Sequence, residues 1–200
     1  IIGFICGILN TIPYSKNDPA VKRGFIAFIR AIVRIYVEFF RGTPMVAQLL
    51  LFYYVMLPLI GVNMSGVKVS VIVFGLNSGA YISEIMRSGI QSVDGGQMEA
   101  GRAVGLSFAT TMMKIVIPQA VKNILPTLGN EFIALIKETS VVSFVGATDL
   151  YVAFNYIGTN SYEFMVPYLV MAIIYILMIL VISLGIKLME RGLKRSDRRS

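Results

Sequence analysis

The chain has 200 residues, 56% of them apolar and 14% charged, with a mean hydropathy of +0.75. A soluble domain of this size carries about a quarter charged residues, so the class is an integral, all-α membrane protein of several helices with no length left for a large soluble domain. The net charge of +7 does not mark a nucleic-acid-binding patch, because the basic residues are separated along the chain by topology rather than gathered together.

Residues 1–12 are uncharged but too short to cross ~30 Å of hydrocarbon at 1.5 Å per residue. They read as the cytoplasmic end of a first spanning helix (1–13) whose start is missing. With no basic residues at its start and no small-residue cleavage site after it, this stretch does not read as a signal peptide. Residues 13–19, Pro-Tyr-Ser-Lys-Asn-Asp-Pro, form a turn-rich break. Over 20–40, Lys22, Arg23, Arg30, Arg34 and Glu38 interleave at helical spacing with Phe25, Ile29, Ile32, Val33, Tyr36 and Val37. This pattern predicts an amphipathic helix along the membrane surface.

Thr43 is placed to cap a second span over 43–60, with Pro44 in its first turn and Pro58 and Gly61 closing it. After a short outer loop, 67–90 is the third span. At 100° per residue, Ser70, Phe74, Asn77, Tyr81, Glu84 and Ser88 fall within an arc of about 80°. That face should meet protein or water rather than lipid.

Residues 91–126 form a moderately polar cytoplasmic insert punctuated by Pro118 and Pro126, with a helix and turn over 94–118. The fourth span, 125–146, carries Asn130, Glu131, Lys137 and Glu138 within an arc of about 120°. Ionisable groups inside a membrane helix cost several kcal/mol unless paired or facing water. They are therefore either a Lys137–Glu pair bracing two helices or the lining of a polar path. Residues 146–165 read as an outer loop, 164–187 as the fifth span and 187–200 as a basic tail.

Lys and Arg total 18, and 16 of them lie in 14–43, 87–125 and 187–200; the two proposed outer loops contain none. Since Lys and Arg concentrate on cytoplasmic loops, the N-terminus is expected outside and the C-terminus inside.

No Gly-x-x-x-x-Gly-Lys-Ser/Thr loop is present, so ATP hydrolysis is not expected of this chain. With no His and only Cys6, neither a His/Cys metal site nor an internal disulfide can be built. Ser140 lacks a His partner, and Glu131 and Glu138 sit about 10 Å apart along a helix axis, so an intramembrane hydrolase is disfavoured.

Within 98–118, Glu99, Ala100 and Gly101 are followed by Gly105, then Ile115, Ile117 and Pro118. This spacing resembles the EAA loop of ABC importer permeases, with Gly101 for the second Ala and Ile117 for the Leu. Arg41-Gly42-Thr43-Pro44, the 76–84 segment LNSGAYISE with Arg87 beyond it, GNEF at 129–132 and KETS at 137–140 resemble the polar amino acid branch, of histidine/glutamine/arginine type. The resemblance covers about residue 41 to 150. It implies a type I importer permease with five transmembrane helices per subunit and a cytoplasmic coupling helix between helices 3 and 4. It also implies a second permease subunit, two ATPase subunits that bind ATP and Mg, and an extracytoplasmic substrate-binding protein.

Glu99, Ala100, Gly101, Gly105, Leu106 and Pro118 are then the ATPase-coupling residues. Glu99 sits near a helix start, and Gly101 and Gly105 lie on one face where an ATPase can approach closely. Asn77, Tyr81, Glu84, Asn130, Glu131, Lys137, Glu138 and Ser140 are the substrate-path residues. An amino acid zwitterion needs an acceptor for its ammonium, Glu84 or Glu138, and a donor for its carboxylate, Lys137 or Asn77. Three carboxylates to one Lys lean towards arginine, histidine or lysine as the substrate. The alternatives are a permease for glutamine, cystine, methionine or an opine, an ATP-independent carrier and a non-transporting scaffold subunit.

Overall fold

The computed structural model describes residues 1–11 and 19–197, so all of the expected 13–19 break except Pro19 lies outside the described residues. Among the described residues eight helices follow in order: α1 (Ile2–Thr11), α2 (Ala20–Gly42), α3 (Met45–Leu59), α4 (Gly66–Gln91), α5 (Gly95–Ala103), α6 (Phe108–Val145), α7 (Leu150–Ser161) and α8 (Met165–Asp197). No strand occurs among the described residues. By length and composition α4 and α8 can each cross a membrane alone. Two further spans are possible if the broken pairs α2–α3 and α6–α7 each count as one.

The described residues fall into two compact units. Unit 1 is Ile1–Arg41 with Ser78–Leu128, and unit 2 is Gly42–Asn77 with Gly129–Ser200. Each has its own apolar cluster. In unit 1, Met86 and Ile90 of α4 pack with Val116, Ala120 and Ile124 of α6. In unit 2, Met45 and Leu49 of α3 pack with Val69 and Val73 of α4 and with Val145 of α6. Inside a bilayer such contacts are held by van der Waals fit rather than by expulsion of water, so small residues at helix crossings matter. A Cβ on Gly89 would collide with the Ile124 side chain, one on Gly66 with the Val145 carbonyl, and one on Gly3 or Gly7 with α4 at Gly79, Ile82 and Met86.

Two helices are wound wide just ahead of a proline. α3 contains a π-helical turn at Phe52–Met56 before Pro58, and α6 contains one at Met112–Val116 before Pro118. A proline has no N–H and its ring collides with the carbonyl four residues back. The wide turn leaves those carbonyls, Tyr54 and Lys114, outside the α ladder and keeps the helix going. Pro118 and Pro126 therefore lie inside one continuous helix and do not interrupt it.

The stretch 146–165 is not all loop. Gly146 at φ 70° ends α6. The Asp149 side chain then caps α7 by accepting from the Val152 N–H at 2.9 Å, and the Glu163 carboxylate accepts from the Val166 N–H at the start of α8. Tyr168 of α8 donates to Asn155 of α7 at 2.8 Å. On α8 itself Leu169, Ile173, Ile176, Leu180 and Leu184 are exposed, as a lipid-facing helix requires.

Gly66→Ala is expected to force α4 away from the fixed Val145 backbone and cost about 1–3 kcal/mol. In detergent its thermal midpoint should fall. Gly75→Ala, with open space around it, should leave the midpoint level or slightly raised. Equal midpoints for the two variants would contradict the packing described.

Candidate functional site

The segment from Asp94 to Ser107 is built from consecutive capping signals. Asp94 is the N-cap of α5, its carboxylate accepting from the Gly96 N–H at 2.7 Å. Glu99, expected near the helix start, is the fifth helical residue. The negative charge at the positive end of the helix dipole comes from Asp94 instead. At the other end the Leu106 N–H reaches the Gly101 carbonyl at 3.1 Å and the Gly105 N–H the Arg102 carbonyl at 3.0 Å, which is a Schellman motif. Gly105 supplies its left-handed residue at φ 89°. Ser107 then caps the next helix, accepting from the Thr110 N–H at 3.1 Å.

This geometry corrects the expectation that Gly101 and Gly105 share a face for close approach by a partner. Gly101 is buried, and a Cβ there would collide with the Thr111 side chain, so its smallness serves the packing of α5 on α6. Gly105 has open space around it and is needed for its backbone angle. The inner side of α5 is held by Met98 against the unit 1 cluster and by Gln119, whose amide donates to Gln97 at 3.1 Å. Asn123 of α6 donates to Ser92 at 3.0 Å, beyond the end of α4. The outer side is free. Glu99, Ala100, Arg102 and Ala103 are exposed, and Val104 is 77% exposed. Leu106 is half-buried and Pro118 is exposed.

The residues expected to line a polar path divide between the units. In unit 2, Asn77 is buried at 5% exposure and donates to Gln48 at 3.0 Å. Gln48, 1% exposed, donates to both the carbonyl and the hydroxyl of Thr43 at 2.9 Å. Asn77 is thus a bracing amide, not one facing an open path. Thr43 does not cap α3: Pro44 is the N-cap residue, with no side-chain cap bond. The hydroxyl expected to cap is taken by Gln48.

Also in unit 2, Asn130, Lys137 and Glu138 are exposed on α6, and Glu131 and Ser140 are half-buried. Neither Lys137 nor Glu138 forms an ion pair among the described residues of its unit, so the Lys137–Glu bracing pair is not formed there. At Thr139 α6 tightens into 3₁₀ geometry. The Ser140 hydroxyl turns back to the Lys137 carbonyl at 3.4 Å.

In unit 1, Tyr81 and Glu84 lie on α4. The Glu84 carboxylate takes a bidentate fork from Arg87, whose Nε donates at 3.0 Å and whose terminal nitrogen meets the other oxygen. Arg87 also donates to Gln91 at 2.8 Å. Glu84 thus already has a cation paired with it within its own helix. Arg41 sits over the Tyr81 ring at 5.5 Å. Sequence reasoning missed Asp94, Gln97 and the Gly3/Gly7 seat of α1. Their signals, Asp-x-x-Gln ahead of a helix and Gly-x-x-x-Gly in an apolar one, are in the chain.

The chain belongs to the family described as the binding-protein-dependent transport system inner membrane component, which it matches over residues 20–195. A putative glutamine transport system permease protein of Rickettsia conorii is 36% identical over 191 residues, 96% of this chain and 84% of that protein. An arginine transport system permease protein of Bacillus subtilis is 36% identical over 197 residues, 98% of this chain and 86% of that protein. The crystal structure of an amino acid ABC transporter with histidines superposes at a TM-score of 0.81 with 39% identity, covering 96% of this chain and 85% of that one. The all-helical fold is that of a type I ABC importer permease.

Asp94→Ala should remove the α5 cap and cost about 1 kcal/mol locally. Gly105→Ala should add about 1–2 kcal/mol of backbone strain. Faster hydrogen exchange confined to the amides of 95–107 would report both. Gln48→Leu should strand Thr43 and Asn77 and cost about 1–3 kcal/mol, lowering the thermal midpoint without changing exchange in 95–107.

Proposed function

We propose that this chain is the translocating subunit of an ATP-driven importer of polar amino acids. It works beside a second permease subunit, identical or homologous, with two cytosolic ATPase subunits and an extracytoplasmic binding protein. The observation that carries this reading is α5. It is short, capped at both ends and anchored on its inner side, while its outer side is left bare. Such a helix transmits a push rather than absorbing it. ATP and Mg²⁺ belong to the ATPase partner, since this chain has no phosphate-binding loop. The Lys and Arg distribution supports an orientation with α5 and the C-terminus in the cytosol and the N-terminus outside.

In the translocation step, ATP closes the ATPase pair and carries the two α5 helices towards each other. From the turn at Ser107, α6 runs continuously to Glu138, about 45 Å along its axis. Movement at α5 is delivered along it to the polar residues. With Glu84 held by Arg87, Glu138 is the acceptor for the substrate ammonium and Lys137 the donor to its carboxylate, with Asn130, Glu131 and Ser140 on the same helix. Asn77 supports the path without touching substrate. Over residues 125–146, two carboxylates to one lysine favour a cationic side chain such as arginine. The glutamine named for the Rickettsia relative is the second reading.

The test is ATPase activity of the purified permease–ATPase complex in lipid, with its binding protein and a panel of amino acids. Stimulation by arginine, lysine or histidine, lost in Gly105→Glu, is the expected result; stimulation by glutamine alone would select the second reading. Failure to form a complex with any ATPase subunit would remove the importer reading in favour of a stand-alone carrier. Glu138→Gln should lower uptake about tenfold while complex assembly, read by size-exclusion chromatography, stays intact.

A further inference from the structure

Helix α2 has three faces. Val33, Val37 and Phe40 are buried within unit 1. Val21, Phe25, Phe28, Ile32, Ile35 and Phe39 are all exposed, from 37% at Phe39 to 85% at Val21. Their alternating spacing of four and three puts all six in an arc of about 80°. The third face bears Arg30, Arg34 and Arg41 and borders a cleft of about 720 Å³, closed on its other side by Glu84, Arg87 and Gln91 at the end of α4.

The cleft is cationic, with four guanidinium groups to the two carboxylates of Glu38 and Glu84. Glu84 is occupied by its fork with Arg87, and the Arg34–Glu38 pair is loose at 4.0 Å on largely exposed side chains. Around the helix, the small Ala27 and Ala31 adjoin the arginines. Then comes Ile35, which is both a wall of the cleft and a member of the exposed stripe. One continuous surface thus runs from guanidinium groups, over a strip of Ala27, Glu38 and Ala31, to an apolar ridge. A phospholipid has the same order: phosphate, glycerol, acyl chain. A free carboxylate or phosphate would use the arginines and leave the ridge without a role.

We propose that the α2–α4 cleft binds the headgroup of an anionic phospholipid, with its acyl chains along the α2 ridge. Assignment to the cytoplasmic leaflet rests on the orientation proposed above; the binding itself does not.

The test is native mass spectrometry of the full chain in detergent, titrated with phosphatidylglycerol or phosphatidylcholine. Phosphatidylglycerol should be retained preferentially. Arg34→Gln, at a side chain 79% exposed and so harmless to folding, should weaken that retention about fivefold. Arg41→Gln should act likewise, and Lys187→Gln on α8 should not. Soluble glycerol phosphate at equal concentration should fail to displace the lipid. Equal retention of the two lipids, retention unchanged in both Arg34→Gln and Arg41→Gln, or displacement by glycerol phosphate would each overturn the proposal. Labelling of Arg34→Cys from outside intact cells would sink the orientation instead, and leave the lipid preference measured in detergent untouched.

Discussion

Between Ala103 and Phe108 the chain ends one helix, reverses and starts another within four residues. It can do so because Gly105 holds a φ of 89° that a side chain would resist. The reversal lets the last carbonyls of α5 find donors in Gly105 and Leu106, and lets Ser107 take the first N–H groups of α6. Without those partners, both helix ends would need water or a flexible loop, and α5 would be tethered rather than fixed. The burial of Met98 and Gly101 and the Gln97–Gln119 bond all require α5 to stand at one set angle on α6. Gly105 and Gly101 therefore do different work, one for the backbone and one for packing, although they look alike in the sequence.

Unit 2 meets the same requirement by another route. Gln48 is almost wholly buried and bridges Thr43 to Asn77, so that two amides and a hydroxyl satisfy one another where few other polar groups are available. A buried amide of this kind costs free energy if either partner is lost. It thereby specifies how the start of α3 meets α4.

The class of protein and the apolar helix α4 were legible because apolar run length and charge placement come directly from the bilayer. That a helix and a turn lie within 94–118 was legible from its glycines. The direction in which a polar side chain points was much less so. Asn77 shares an arc with Glu84, yet one is buried against Gln48 and the other forks with Arg87. Angular position says which residues lie together on a helix but not which neighbour packs there. Thr43 looked like a cap because its type and position fit. That its hydroxyl goes to Gln48 depends on a side chain one turn ahead, which local pattern does not weigh. Helix α7 was hidden in a Gly- and Asn-containing stretch whose apolar residues are too few for a span, and Asp149 supplies a start signal easily passed over there.

The wide turn at Met112–Val116 also governs direction. A π-helical turn holds one residue more than an α turn, so it rotates the residues before it by about 100° against those in the turns that follow. Thr111 and the turn to α5 lie on one side of it, and Ala120 and Ile124 of the unit 1 cluster on the other. The azimuth between the seat of α5 and that cluster is thus set by a single supernumerary residue. Related chains that gain or lose one residue there would keep the same residues on both sides but aim them in different directions.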